Sequence, residues 1–293
     1  MIVLGFPDYR PQAARLATAL GVPYREVALH RFPDGESKVT VPAEAGAAHA
    51  VLCRSLDRPN DKLIELLLTA HTLRNQGVQR LTLVAPYLCY MRQDIAFHPG
   101  EAVSQRIVGR FLGELCDDVI TVDPHLHRIE RLEQAIPNAR CLTLSAAHPL
   151  SDHLAWHWQD PLLLGPDRES AQWVAAIARH HGLDWGVAEK HRHGDREVEI
   201  ELPAGLNIHG RTVVLVDDVA STGQTLAQAA QALRRHGVTS VHALVTHALC
   251  SAEDMTRLHA AGVQSLASSD SVSHASNVVE LAGLLAEGVR SLG

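Results

Sequence analysis

Short runs of consecutive apolar residues recur along the chain, each closed by a polar cluster, and longer segments with helical spacing separate them. Such runs read as buried strands, and the segments between them as helices that cover the strands. The expected strands are 2–6, 49–55, 81–87, 119–123, 161–165, 213–217 and 241–247. The expected helices are 11–20, 61–76, 102–115, 169–181, 223–236, 252–261 and 276–291. Alternation of this kind predicts an α/β protein of mainly parallel sheets flanked by helices. The pattern falls into two halves of like architecture, without a residue-level repeat. Helical periodicity lapses near 140–155, where Pro149 and Ser151 stand, so domains of 1–145 and 146–293 are expected, the last helix packing back on the first domain. Ligands of such sheets bind beyond the carboxyl ends of the strands. The polar clusters that follow the strands are therefore where chemistry is sought.

Composition narrows the classes. A chain of 293 residues is long enough for two domains. Aromatics make up only 4% while Ala, Leu and Val are common, a mixture that suits α/β layers. A formal charge of −7 argues against a general nucleic-acid binder. No apolar run reaches the length of a membrane span. The five cysteines form no C-x-x-C pair, and four of them lie in or beside apolar runs and read as small core residues, which fits a reducing cytoplasm. Most of the 19 histidines are scattered, and no H-E-x-x-H is present. There is no Walker A string and no G-x-G-x-x-G, so any ATP is bound without a P-loop.

The richest stretch is Val213-Val214-Leu215-Val216-Asp217-Asp218-Val219-Ala220-Ser221-Thr222-Gly223-Gln224-Thr225. A buried strand delivers two carboxylates to a turn, and the turn feeds a helix. Backbone N–H groups and hydroxyls at such a helix start hold phosphate. The aspartates suit sugar hydroxyls or a hydrated metal beside it. The competing reading is a helix capped by Ser221 or Thr222, with the aspartates complementing its dipole. Other strand ends carry similar groups. Asp57-Arg58-Pro59-Asn60-Asp61 reads as a capped helix start. Arg92-Gln93-Asp94 offers a donor fork for phosphate, or a plain surface Arg92–Asp94 pair. His125 follows Asp123-Pro124, and Asp167 follows Pro166. Lys190-His191-Arg192 lies in a basic loop that could close over a polyphosphate, or could simply be solvated.

In order, these segments resemble ribose-phosphate diphosphokinases, also called phosphoribosyl-pyrophosphate synthetases. Arg31-Phe32-Pro33-Asp34-Gly35-Glu36 is similar to R-F-x-D-G-E, and Pro86-Tyr87 through Asp94 to P-Y-x-x-Y-x-R-Q-D. Arg58 to Asp61 with Glu65-Leu66-Leu67, Thr121 to His125, Pro166-Asp167, Lys190 to Arg192 and the Asp217–Thr225 loop complete the order. Length and the Phe97–Glu101 segment resemble the shorter, archaeal-type branch.

The resemblance implies two type I phosphoribosyltransferase-like domains. It implies transfer of the diphosphoryl group of Mg-ATP to the 1-hydroxyl of ribose 5-phosphate, giving 5-phosphoribosyl 1-diphosphate and AMP. Phe32, Asp34, Glu36, Arg92, Gln93 and Asp94 would bind ATP. Asp217, Asp218, Ser221, Thr222, Gly223, Gln224 and Thr225 would bind ribose 5-phosphate. His125 and Asp167 would hold Mg²⁺, and Lys190 and Arg192 would be catalytic. It also implies a homo-oligomer, dimer or hexamer, sharing its ATP site. Four residues depart from the pattern: Glu169-Ser170 replace small residues, Gln224 a glycine, and Ser221 a common aspartate. Glu169 motivates one alternative, a catalytically silent binding homologue. The Asp217–Thr225 loop taken alone permits another, a base phosphoribosyltransferase.

Overall fold

The computed structural model describes residues 1–45, 48–126, 128–193, 197–201, 203 and 205–293; for Glu44 and residues 190–193 and 197–201 the backbone alone is described. Two compact units form. Unit 1 is Met1–Ser145 with Ser271–Ser273 and Leu281–Gly293, and unit 2 is Ala146–Asp270 with His274–Glu280.

Unit 1 runs β1 (Ile2–Gly5), α1 (Arg10–Leu20), β2 (Tyr24–Glu26), the hairpin of β3 (Ala28–Arg31) and β4 (Ser37–Thr40), β5 (His49–Cys53), α2 (Pro59–Asn75), β6 (Arg80–Val84), α3 (Ser104–Leu115), β7 (Asp118–Val122) and β8 (Arg140–Leu144). Its six-stranded sheet has the order β2-β1-β5-β6-β7-β8, every neighbour parallel. Unit 2 runs α4 (Ala147–His157), β9 (Leu162–Gly165), α5 (Ala171–His181), β10 (Trp185–Val187), the hairpin of β11 (Glu189–His193) and β12 (Glu197–Glu201), β13 (Thr212–Ala220), α6 (Gln224–Arg235), β14 (Ser240–Ala248), α7 (Ala252–Ala261), β15 (Val263–Ser269) and β16 (Asn277–Val279). Its sheet, β10-β9-β13-β14-β15-β16, repeats the first position for position, with the hairpin inserted at the same point. A last helix, α8 (Ala282–Ser291), belongs to unit 1.

Strands buried on both faces explain the unbroken apolar runs. Val3, Leu4, Val51 and Leu52 of unit 1, and Leu162 to Leu164 with Val213 to Val216 of unit 2, are fully enclosed. Each such side chain contributes roughly 1.5–3 kcal/mol by leaving water. Helix α3 approaches its neighbours closely: a Cβ on Gly109 or Gly113 would meet the Ala135 or Pro137 carbonyl oxygen at 2.0 Å. The five cysteines are free thiols. Burial pushes Cys89 and Cys116 up to about 12, which suits inert core residues. Among the described residues no helix is long and apolar enough to cross a membrane.

Several expectations need correction. The stretch near 140–155 holds strand β8 and helix α4. Pro149 lies in the first turn of α4, where proline is tolerated, and Ser151 turns inward to donate to the Ile177 carbonyl at 2.9 Å. A hydroxyl on the buried stripe hid the helical period. The helix expected over 276–291 is split into β16 and α8. Strands β2 and β10 and both hairpins were also missed, because short or exposed strands carry no long apolar run, and β15 because polar residues, among them the buried Ser268 and Ser269, break up its apolar run. The basic segment at Lys190 and Arg192 is not a loop but strand β11, with Lys190 opposite Ile200 and Arg192 opposite Val198. Strand 213–217 extends through Asp218 to Ala220.

Candidate functional site

In unit 2 the carboxyl ends of β9 and β13 converge. Asp167, just past β9, turns its Oδ1 to the backbone N–H groups of Glu169 and Ser170 at 3.1 and 3.4 Å. This fixes a short 3₁₀ turn that leads into α5. Ser170 is buried, and its Oγ donates to the Asp167 carbonyl at 2.6 Å. A Cβ on Gly165 would meet that hydroxyl at 2.3 Å. Ser170 thus fills the space of a small residue, while Glu169 stays exposed in the first turn, where a carboxylate complements the helix dipole. Arg168 reaches Glu189 at 2.8 Å, tying this turn to the first residue of β11.

Asp217 and Asp218 sit on β13, and the Asp218 N–H donates to Asp217 Oδ1 at 3.0 Å. Burial first, and then the like charges of Asp218 and Asp167, hold the Asp217 carboxyl well above the usual carboxylate range. Three carboxylates therefore face a common region and repel one another. Next, Ser221 and Thr222 form the turn, and Gly223, at φ +68°, is the N-cap of α6. A side chain at Gly223 would strain the backbone and press Leu258 at 3.0 Å. The competing reading of a cap by Ser221 or Thr222 fails: α6 has no side-chain cap. Its first-turn N–H groups keep their capacity for an anion. Gln224 is exposed and Thr225 half-buried on the first turn of α6.

Unit 1 brings the other candidates to its own loops. Phe32 to Glu36 form the tip of the β3–β4 hairpin: Phe32 N–H donates to the Glu36 carbonyl at 2.8 Å, and Gly35 takes φ +94°. The Asp34 carboxylate accepts the Glu36 N–H at 3.1 Å, an Asx-type turn. Phe32 is 40% exposed, edge-on to His30. Beyond β6, Tyr87 accepts the Leu56 N–H at 3.0 Å, and the Tyr90 hydroxyl donates to Asn60. Asn60 and Asp61 do not cap α2 as expected. Pro59 starts that helix, Asn60 serves Tyr90, and Asp61 pairs with Arg31. Nor do Arg92 and Asp94 pair. Asp94 is buried against Arg128 at 2.6 Å, which leaves Arg92 exposed and Gln93 half-buried. Gln105 holds the segment by its Nε2 to the Met91 carbonyl and its N–H to the Gln93 carbonyl, both at 3.2 Å. His125 is half-buried beyond β7, after a buried Asp123 at φ +38°. The side chains of Lys190 and Arg192 lie outside the described residues.

Sequence reasoning missed Arg128, the partner of Asp94, and a network around Asp8. Asp8 follows β1 as Asp167 follows β9. It pairs with Arg54 at 3.0 Å and Lys62 at 2.9 Å. Arg54 also meets Glu65 at 2.7 Å and lies over the Phe6 ring, and Lys62 meets Asp57 at 2.7 Å. The paired strings Ile2-Val3-Leu4-Gly5-Phe6-Pro7-Asp8 and Leu162-Leu163-Leu164-Gly165-Pro166-Asp167 are the signal that could have revealed Asp8.

Residues 1–115 match the family model of the N-terminal domain of ribose phosphate pyrophosphokinase, and residues 145–280 that of the phosphoribosyl transferase domain. A ribose-phosphate pyrophosphokinase of Methanopyrus kandleri is 37% identical over 100% of this chain and 99% of its own. The chain belongs to the ribose-phosphate pyrophosphokinase family. Ribose-phosphate pyrophosphokinase 2 of Archaeoglobus fulgidus is 33% identical over 99% of this chain and 100% of its own. The crystal structure of phosphoribosylpyrophosphate synthetase from Mycobacterium smegmatis matches with a TM-score of 0.82, covering 99% of this chain and 98% of that one at 22% identity, and so shares the fold. As a ribose-phosphate pyrophosphokinase, the chain joins an N-terminal family domain to a phosphoribosyl transferase domain that carries the three-carboxylate loop.

Proposed function

We propose that the protein transfers the diphosphoryl group of Mg-ATP to the 1-hydroxyl of ribose 5-phosphate, releasing AMP and 5-phosphoribosyl 1-diphosphate. The observation that carries this is the end of β13, where Asp167, Asp217 and Asp218 crowd beside an α6 N-terminus with no side-chain cap. In this reading Ser221, Thr222, Gly223, Gln224 and Thr225 hold the 5-phosphate with hydroxyls and N–H groups. Asp217 and Asp218 accept hydrogen bonds from the ribose hydroxyls, which orients the 1-hydroxyl for attack on the β-phosphorus.

Crowded carboxylates suit a hard, oxygen-seeking cation, and this fits Mg²⁺. Asp167 would hold it, and His125 would act through a coordinated water, since Mg²⁺ prefers oxygen ligands. When bound, the ion offsets charge on the phosphate oxygens. Arg92, Gln93 and Asp94 with Phe32, Asp34 and Glu36 form the ATP side. Phe32 offers a ring for the base, and Asp94, fixed by Arg128, holds the backbone of the Arg92 segment. Lys190 and Arg192 neutralise the charge that develops on the transferring group, where positioning and electrostatics supply most of the acceleration. The reading includes a cytoplasmic homo-oligomer, dimer or hexamer, that shares its ATP site and binds neither nucleic acid nor membrane.

The test is AMP formation followed by chromatography with ATP, Mg²⁺ and ribose 5-phosphate, beside a Lys190→Ala control. AMP that depends on the sugar phosphate and fails in the control is the expected result. Nucleotide binding without turnover overturns the proposal in favour of a silent homologue. Pyrophosphate release from phosphoribosyl diphosphate and a base overturns it in favour of a base phosphoribosyltransferase.

A further inference from the structure

Beyond the carboxyl end of β14, a chain of polar side chains in unit 2 terminates on one backbone carbonyl. His274, in the segment between β15 and β16, is half-buried and holds Nε2 2.9 Å from the Cys250 carbonyl oxygen. A carbonyl only accepts, so Nε2 carries a proton. Nδ1 receives the Ser276 N–H at 3.1 Å, so it carries none. Together these partners fix one neutral tautomer. The Ser276 hydroxyl therefore donates to Nδ1 at 2.7 Å, and the buried Ser268 hydroxyl donates to Ser276 at 2.7 Å. Asn277 Oδ1 accepts the His274 N–H at 2.9 Å. Its Nδ2 donates to Ser268 Oγ at 3.0 Å and to the Ser269 carbonyl at 2.6 Å. Donors thus run in one direction, from Asn277 through Ser268, Ser276 and His274 to Cys250.

We propose that His274 is a positioning residue for ribose 5-phosphate: through the Cys250 carbonyl it holds the turn after β14 against the Asp217–Thr225 loop, an assignment that rests on reading that loop as the 5-phosphate site. Two contacts, one on each side of Cys250, carry the position onward. The Leu249 N–H donates to the Ala220 carbonyl at 2.8 Å, next to Ser221. Ser251 caps α7 in a reciprocal box with Asp254, and Leu258 of α7 borders Gly223 at the start of α6. Apolar side chains could close the turn after β14 without burying hydroxyls. An oriented hydrogen-bond chain admits one arrangement instead, because a slip leaves a buried group unpaired. Phosphate binding by N–H groups and hydroxyls needs that definition, since a shift of about 1 Å takes a donor out of range.

The test compares wild type with His274→Gln and His274→Asn. A Gln amide nitrogen falls where Nε2 stood, and an Asn oxygen where Nδ1 stood, so Gln keeps the donor to Cys250 and Asn loses it. His274→Asn should weaken ribose 5-phosphate binding, read by calorimetry, by about 3–10-fold, the span of one lost neutral hydrogen bond. The KM for ribose 5-phosphate should rise as much while the KM for ATP stays in place, and the Leu249 amide should exchange its hydrogen faster. His274→Gln should restore all three. Imidazole nitrogen NMR of wild type should show the proton on Nε2; a proton on Nδ1 overturns the proposal without any variant. Binding by His274→Asn as tight as by wild type also overturns it, and a lowered melting temperature beside that result leaves the network a purely structural role. Wild type that binds no ribose 5-phosphate, yet keeps the order of Gln over Asn in Leu249 exchange, overturns the reading of the loop and not the clamp.

Discussion

The loop after β5 in unit 1 and the loop after β13 in unit 2 leave the same position in two sheets of the same order, and each accompanies an aspartate in the segment that follows β1 or β9. In unit 1 that aspartate, Asp8, is met by Arg54 and Lys62. In unit 2 its counterpart, Asp167, is met by two further carboxylates. In one, the aspartate is held directly by two cations of its own unit. In the other, burial and like charges raise the Asp217 carboxyl. A shared backbone plan does not by itself make a ligand site; the sign of a few side chains on it does.

The largest effect should follow from breaking the ion-paired network of unit 1. Arg54 and Glu65 are both buried, so Arg54→Ala strands a carboxylate and should cost about 3–5 kcal/mol, read as a lower midpoint in urea at unchanged slope. Next comes Asp217→Asn/Asp218→Asn in the carboxylate-rich loop of unit 2. It should lower kcat/KM by about 10²–10³-fold, the range for lost electrostatic groups in an active site, while the fold is retained or gains stability as the repulsion goes. Should both double-mutant readouts instead resemble those of Arg54→Ala, the contrast between the loops is wrong.

Acid sharpens the comparison. In unit 1, burial pushes the Asp118 carboxyl up, but Arg80, Thr82 and Arg140 more than offset it and leave it lowered. Its contribution to stability is complete above the ordinary value of 3.8 and is lost as pH falls from there through the lowered folded value. Asp217 works with the opposite sign. Its raised carboxyl takes up a proton in the folded state first, so metal-free protein should gain stability as pH falls through that raised value toward 3.8. Urea midpoints across the acid range, with and without Mg²⁺, check this, and Mg²⁺ should flatten the gain. The smallest effect is local. Gly223→Ala places a Cβ at φ +68° and against Leu258, and should cost about 1 kcal/mol with a larger rise in KM for ribose 5-phosphate than fall in kcat.

Sequence reasoning reached the unit 2 loop because its parts are contiguous. Asp217 to Thr225 is a single string, and strand, turn and helix start are each visible in it. The unit 1 network is assembled from Asp8, Arg54, Lys62 and Glu65, which come from three separate segments, and no local pattern announces the assembly. Asp94 likewise finds Arg128, 34 residues away, where a neighbouring arginine had been the simple choice. Parallel sheets were legible from buried runs, but the hairpins were not: residues 28–31 and 37–40 are half-exposed or exposed and alternate too briefly to be read. Helix α4 escaped because Ser151 interrupts its apolar face.

The allotment of the last helix bears on how the chain is made. Residues 281–293 complete unit 1, where Arg80 donates to the Leu292 carbonyl at 3.0 Å and Gly288 lies close against Leu144. On the ribosome these residues are joined only after all of unit 2 has been synthesised. The part of the protein that begins first is therefore finished last, and a nascent chain stalled anywhere before residue 281 presents an open side of β8 for as long as it waits.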